Sequence, residues 1–250
     1  MPNKLFICNN VSGAGLSTVL RQVVADGTVA LGPPQFTTRL LRSKEKEGEE
    51  YYSIDKRLLL DISYKIAIGS QYGENYYGYF SHEINQIQRK LLKGNLIIQS
   101  VDSPFEWRTL IGSSFSLISL FFSPSTPFIS TQRIIMRDFQ EGSQFLIYLL
   151  KRVRANMSYI VYIQYYDYWI DTTEIEQLYP SIKQIILSEN RDNPLKELRI
   201  AKRIPGAWCD INNLIKSFKK DSKRLIRELD KLIRDGERLS KEQLIFKLME

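Results

Sequence analysis

Residues 10–18 (NVSGAGLST) bring together most of what a phosphate-binding loop needs. Such a loop reads GxxxxGK[ST]. Its glycines let successive backbone N–H groups curl around phosphate oxygens, its lysine reaches the outer phosphates, and its Ser or Thr hydroxyl holds Mg²⁺. Here Gly13, Ala14 and Gly15 supply the turn, and Ser17 and Thr18 follow. Ser17 is the candidate metal-side hydroxyl. The first glycine position is Asn10, however, and the lysine position is Leu16. On the motif alone, an ordinary glycine-rich turn is the better reading. Other site chemistries are poorly served. The two cysteines, Cys8 and Cys209, and the single histidine, His82, offer neither zinc-ligand spacing nor a Ser-His-Asp triad.

The elements that would position this loop are legible. Residues 4–10 (KLFICNN) form an apolar run expected to be a buried strand, and VLRQVV after the loop opens a helix. Residues 96–102 (LIIQSVD), 115–122 (FSLISLFF) and 166–170 (YDYWI) are further short apolar, β-branched or aromatic runs. Between them, 81–92, 144–157 and 174–187 carry helical periodicity. Strands alternating with helices imply an α/β fold, a parallel sheet covered by helices on both faces. Residues 191–205 read as a linker. In 206–250, Leu214, Phe218, Leu225, Leu229 and Leu232 recur at helical spacing among Lys and Arg, Gly236 is a stop, and Ser240 with Gln243 has capping-box spacing. A basic helical hairpin is expected there, appended to a 1–190 domain.

Charge sharpens the division. The chain has 250 residues, 43% hydrophobic and 25% charged, with a net charge of +7. Residues 1–190 carry 19 basic and 18 acidic side chains, whereas 191–250 carry 16 and 10. The first 190 residues therefore lack the basic surface of a nucleic-acid binder. The longest apolar stretch, 115–122, is far short of the ~20 residues that span a bilayer, and the start of the chain lacks the succession of a secretory signal. A cytoplasmic protein without membrane insertion is expected.

Three further stretches join the loop. Residues 37–51 read TTRLLRSKEKEGEEY, residues 74–79 read ENYYGY, and IQSVD (98–102) and DYWIDT (167–172) close two strands. In this order and spacing, over about three quarters of the chain, 1–190 resembles guanylate kinase, a P-loop nucleoside monophosphate kinase. The resemblance implies that Arg39, Arg42, Tyr51 and Tyr77 grip the phosphate of a nucleoside monophosphate, with Glu45 in register beside them, and that Asp102 contacts the base. Two forked guanidiniums and two phenols would make a sound clamp for one dianion.

The departures also have a pattern. A guanine-reading Glu is expected where Ile68 stands, a Ser where Tyr79 stands, and a Ser where Gln35 stands. An Mg²⁺-organising carboxylate is expected at Ser100. A lid arginine falls nearest Tyr148, with Arg133, Arg137, Arg152 and Arg154 close by as lid candidates. Loss of the loop lysine removes a transition-state cation worth about 3–4 kcal/mol, or on the order of 10²–10³ in rate. Lys4 lies at the wrong end of its strand to replace it, and Arg21 is a remote substitute.

The preferred expectation is a catalytically degenerate module, a pseudokinase, that retains a clamp for a nucleoside monophosphate or another phosphorylated ligand. In this it is similar to the guanylate-kinase-like domains of membrane-associated scaffold proteins, which lack kinase activity and use the cleft for phosphorylated protein ligands. The second reading is an active kinase for GMP or an altered acceptor, with ATP and Mg²⁺ as cofactors. The third is a protein- or nucleic-acid-binding factor acting through the basic helices. Nucleic acid is the weaker partner, since no aromatics interleave with the tail cations. Packing of 206–250 on the domain or on a second copy of the chain is expected instead.

Overall fold

The computed structural model of the chain describes residues 3–42, 45–49, 51–191, 194, 197–198, 201–204 and 208–249. The elements begin β1 (Lys4–Asn10), α1 (Leu16–Ala25), β2 (Ala30–Leu31), β3 (Gln35–Thr37), β4 (Tyr51–Ser53), α2 (Leu59–Ile62), β5 (Ile66–Tyr72) and β6 (Asn75–Phe80). They continue α3 (Ser81–Leu91), β7 (Leu96–Gln99), α4 (Pro104–Ile111), β8 (Ser116–Ser123), α5 (Pro127–Asp138), α6 (Ser143–Tyr159) and β9 (Tyr168–Asp171). The last are α7 (Leu178–Asn190), β10 (Glu197–Leu198), β11 (Ala201–Arg203), α8 (Trp208–Asp235) and α9 (Lys241–Met249).

The central sheet runs β10-β11-β9-β8-β1-β7-β2, parallel from β9 to β2 and antiparallel through β11 and β10. The pleat of β1 divides its apolar run between two cores, because successive side chains point to opposite faces. Phe6 and Cys8 pack with α1 and α7, whereas Leu5 and Ile7 pack with α3 and α4. Both faces are therefore covered, and this is why β1 reads as a continuous apolar run.

Two features were not expected from the sequence. Residues 35–80 contribute a separate four-stranded sheet, ordered β4-β3-β6-β5. Its strands β3 and β4 have three residues each, too short for a period-2 pattern to emerge. Gly78 is needed there, because a Cβ would lie 2.3 Å from the Ile68 carbonyl on the neighbouring strand. Second, the stretch read as a linker carries β10 and β11, which extend the central sheet through backbone pairing of Ala201–Arg203 with β9. Backbone pairing of so short a strand leaves no periodic trace.

The C-terminal hairpin forms as expected. Gly236 takes φ +66° after α8, and Ser240 and Gln243 exchange the two bonds of a capping box (2.8 and 3.2 Å). Its apolar stripe packs on this chain's own helices. Leu225, Leu229 and Leu232 of α8, with Leu244 and Leu248 of α9, share a core with Ile134 of α5 and Leu149 and Val153 of α6. Among the described residues no helix is long and apolar enough to cross a membrane.

Candidate functional site

The loop between β1 and α1 turns through Gly13 (φ +86°) and Gly15 (φ +85°). At Gly13 a Cβ would meet the Ser130 carbonyl at 2.5 Å, so α5 presses directly on the loop and only glycine fits. Leu16 is 2% exposed and is the first residue of the buried stripe of α1, with Val19, Leu20 and Val23. Where a phosphate loop sends an ammonium toward its ligand, this chain places a core leucine. Ser17 and Thr18 are exposed.

Residues remote in sequence tie the loop down. The Ser12 N–H donates to the Tyr72 hydroxyl (3.0 Å) and to Asn156 Oδ1 (2.8 Å). Asn156 Nδ2 returns a bond to the Ser12 carbonyl (3.1 Å), and Tyr72 donates to Asn156 Oδ1 (2.5 Å). Just beside this, Asn9 Nδ2 meets the hydroxyls of Tyr159 (2.9 Å) and Tyr166 (2.5 Å). The loop, the small sheet and α6 are thus joined in one polar knot. Sequence reasoning missed Tyr72 and Asn156, since nothing local marks them.

Arg39, Arg42, Glu45, Tyr51 and Tyr77 come together as one cluster. Arg39 is only 9% exposed and forks onto Glu45, with Nη1–Oε2 at 2.6 Å and Nη2–Oε1 at 2.7 Å. Arg42 adds an Nη1 bond (3.0 Å) and a backbone N–H bond (2.9 Å) to the same carboxylate. Glu45 therefore organises the guanidiniums, and as an anion it is not itself a phosphate contact. Burial opposes its charge, but Arg39 and Arg42 hold its pKa down at about 2. Arg39 lies over the Tyr51 ring at 4.7 Å, and Tyr51 and Tyr77 meet edge to face at 5.9 Å. Burial pushes the Tyr51 hydroxyl up to about 12, and Gln99 Nε2 donates to it at 2.9 Å.

Asp102, just after β7, is fully buried. Its Oδ2 accepts from the Ser100 hydroxyl (2.9 Å), and its Oδ1 has no protein partner. Burial raises its pKa to about 6, against the pull of the nearby Ser70 and Ser100 hydroxyls. The positions expected to read guanine are occupied by packed rings. Tyr79 is 1% exposed, packs edge to face on Trp107 at 5.3 Å and donates to the Gln99 carbonyl at 2.6 Å. Ile68 joins the same core. Trp107 Nε1 donates to Ser100 Oγ (2.9 Å), which locks the residue standing at the expected Mg²⁺ carboxylate.

The arginines read as lid candidates separate. Arg152 lies over the Tyr148 ring at 5.1 Å; burial opposes its charge, but the neighbouring Tyr148, Tyr77 and Tyr72 raise its pKa, which puts it near the Tyr77 side of the Arg39 cluster. It stands one helical turn from the position where the resemblance expects an arginine. Arg137 is exposed and pairs with Asp138 (2.7 Å). Arg133, on α5 next to the Ser130 contact, donates Nη2 to the Thr173 carbonyl (3.0 Å) while its buried Nη1 has no partner. Arg154 pairs with Asp230 of α8 (3.3 Å). Lys4 is buried against Glu189 (3.7 Å), at the far end of β1 from the loop, and Arg21 is exposed on α1.

Residues 3–189 match the family model described as guanylate kinase. The chain belongs to the guanylate kinase family. Among curated relatives it is 25% identical over 189 residues to the guanylate kinase of Protochlamydia amoebophila, covering 74% of this chain and 90% of that one. It is 30% identical over 191 residues to the guanylate kinase of Bartonella henselae, covering 74% and 81%. The solved guanylate kinase of Anaplasma phagocytophilum shares the fold, with a TM-score of 0.54 and 19% identity over 76% of this chain and 87% of that one. Guanylate kinases use ATP and Mg²⁺, and the residue at the expected metal-side carboxylate position fits Mg²⁺ poorly here. Mg²⁺ takes six oxygens, commonly one or two of them carboxylate. The expected carboxylate is Ser100, and its hydroxyl already bonds Asp102 and Trp107.

Proposed function

We propose that this chain is a guanylate-kinase-like module that holds a phosphate monoester and does not transfer phosphoryl groups from ATP at kinase rates. The observation that carries this reading is Leu16. Its side chain is part of the α1 core stripe, so no cation projects from the loop position that should neutralise the transferring phosphate. Two others support it. The Ser12 amide is already satisfied by Tyr72 and Asn156, and Ser100 replaces the expected carboxylate.

On the acceptor side, Arg39 and Arg42 are pre-positioned by Glu45. Two guanidiniums against one carboxylate leave a net positive centre, with the phenols of Tyr51 and Tyr77 alongside and Arg152 of α6 near its Tyr77 side. Such a centre suits a phosphate dianion. The packing of Tyr79, Trp107 and Ile68 removes the expected means of selecting guanine. The competing reading, a kinase with an altered acceptor, draws support from Arg133, whose unpartnered Nη1 lies on the helix that contacts the loop.

A coupled ADP-release assay over a panel of monophosphates, run beside calorimetric titration, separates the two. Binding of monophosphates without turnover, lost in Arg39→Ala, is the expected result. Robust turnover by the wild-type chain would overturn the degenerate reading.

A further inference from the structure

Helix α8 lies beyond residues 3–189, the part of the chain that matches the family. Its apolar stripe is covered by α5 and α6. A second stripe, of cations, is left uncovered. Lys216, Lys219, Lys220, Lys223 and Arg227 recur every three or four residues and so share one face of the helix. The stripe is about 16 Å long at the rise of an α-helix.

These cations line a groove of about 950 Å³ between α8 and α6, to which α6 contributes Arg154. Among the described residues no carboxylate lines it. Nor does any of the five α8 cations form an ion pair with a described residue. Other cations of these helices do find partners: Lys247 meets Glu237 at 2.6 Å, and Arg154 meets Asp230 at 3.3 Å. Unpaired like charges crowded into one groove repel one another, and an anion laid among them relieves that repulsion. The groove also has an apolar component. Met157 of α6 and Ile226 of α8 are half-buried in its lining. The lysine stems add methylene surface while their ammonium groups reach for water.

We propose that the α6–α8 groove docks an acidic, amphipathic helical segment of a partner protein. Carboxylates at i, i+4, i+7 and i+11 of such a helix repeat at the same rise as Lys216, Lys220, Lys223 and Arg227. An apolar side chain beside them would cover Met157 and Ile226, the arrangement of a helix laid in a groove. A nucleic-acid strand answers the charge alone, because no aromatic side chain lines the groove to stack its bases. An anionic bilayer is flat and would leave the apolar lining uncovered. The surface uses no residue of the Arg39 cluster, so the proposal is independent of what that cluster holds.

The test is fluorescence anisotropy of the full chain with a labelled helical peptide about 16 residues long, Glu at the stated spacing and Leu beside it. This peptide is expected to bind, more weakly as salt is added. Replacing its leucines by Ala should weaken it about tenfold or more, the worth of a buried leucine side chain. Lys220→Glu with Lys223→Glu, both exposed, should weaken the Glu/Leu peptide by about tenfold or more. Lys231→Glu with Arg238→Glu makes the same change of net charge at exposed positions outside the groove and should leave binding nearly unchanged. No binding of the Glu/Leu peptide, indifference to its leucines, or equal weakening by the two charge-reversed pairs overturns the proposal. Tighter binding of a single-stranded oligothymidylate of the same length overturns it in favour of nucleic acid. Sedimentation with phosphatidylserine vesicles that is lost on reversing Lys220 and Lys223, without peptide binding, overturns it in favour of a membrane surface.

Discussion

Around Arg39 the chain keeps a dense charged centre, in which one carboxylate fixes two guanidiniums and two phenols close the sides. Around Leu16, the motif position where a lysine is expected belongs to a hydrophobic core. The first arrangement is stabilised by charge pairs that would be costly to break. The second is stabilised by apolar burial that would be costly to reverse. The difference shows how one fold can carry an apolar side chain at one motif position and a charge cluster at another: a helix stripe accepts leucine readily, whereas an arginine forked onto a partly buried glutamate has no apolar substitute.

The largest effect is expected from Arg39→Ala. It removes the fork and leaves Glu45 buried without its main partner, a loss of about 3 kcal/mol by denaturant titration, together with loss of phosphate-monoester binding by calorimetry. Arg39→Lys should recover much of the stability and little of the binding, because a point charge cannot fork. A variant that binds as well as wild type would show that the cluster is only structural.

Next, Leu16→Ala should cost about 2–4 kcal/mol, the ordinary range for a core leucine. Leu16→Lys should also be destabilised and should not reach ordinary kinase rates, because Ser100, Ile68 and Tyr79 remain. Full phosphoryl transfer from that single change would erase the contrast between the two regions. A smaller effect is expected from Asn156→Ala, which unties the Ser12 N–H from α6. A loss of about 1–2 kcal/mol and faster hydrogen exchange at the Ser12 amide would confirm that the knot holds the loop, whereas unchanged exchange would show that Tyr72 suffices.

The smallest effect concerns pH. Burial raises the pKa of Glu83 to about 7, and its Oε1 has no partner while Oε2 accepts from the Phe80 N–H (2.8 Å). A carboxyl whose folded pKa lies above its unfolded value destabilises when ionised. Stability should therefore fall as pH rises from about 4.5 to about 7, with Asp102 acting in the same direction between about 4 and 6. Glu45 acts oppositely, its stabilisation being lost as pH falls from about 4.5 toward 2. Glu83→Gln should raise stability at pH 8, where the unfolded chain gains most from ionising this carboxyl, and make little difference at pH 4.5. An equal effect at both values would mean that the Glu83 pKa does not change on folding.

Much of the fold was legible because its signals are local. The parallel strands are apolar runs, α1 carries a 16, 19, 20, 23 stripe, and the C-terminal hairpin is bracketed by Gly236 and the Ser240–Gln243 box. The small sheet and the β10–β11 extension were not legible, because three-residue strands are specified by their partners. At the site, Arg39, Arg42, Tyr51 and Tyr77 could be named because the family resemblance puts its phosphate positions there. Arg152 could be named, but not set against Tyr77, since a lid residue one turn from its expected position is indistinguishable in sequence from a surface arginine.

The sequence by itself determined the family register, the retained arginines and the missing loop cation, for these are questions of residue type at fixed spacing. Only the tertiary structure decided what surrounds them. It paired Glu45 with both guanidiniums, packed Tyr79 against Trp107 and brought Asn156 across 144 residues to Ser12. Those are contacts between elements, and their energies depend on distance and burial, which no local pattern of residues encodes.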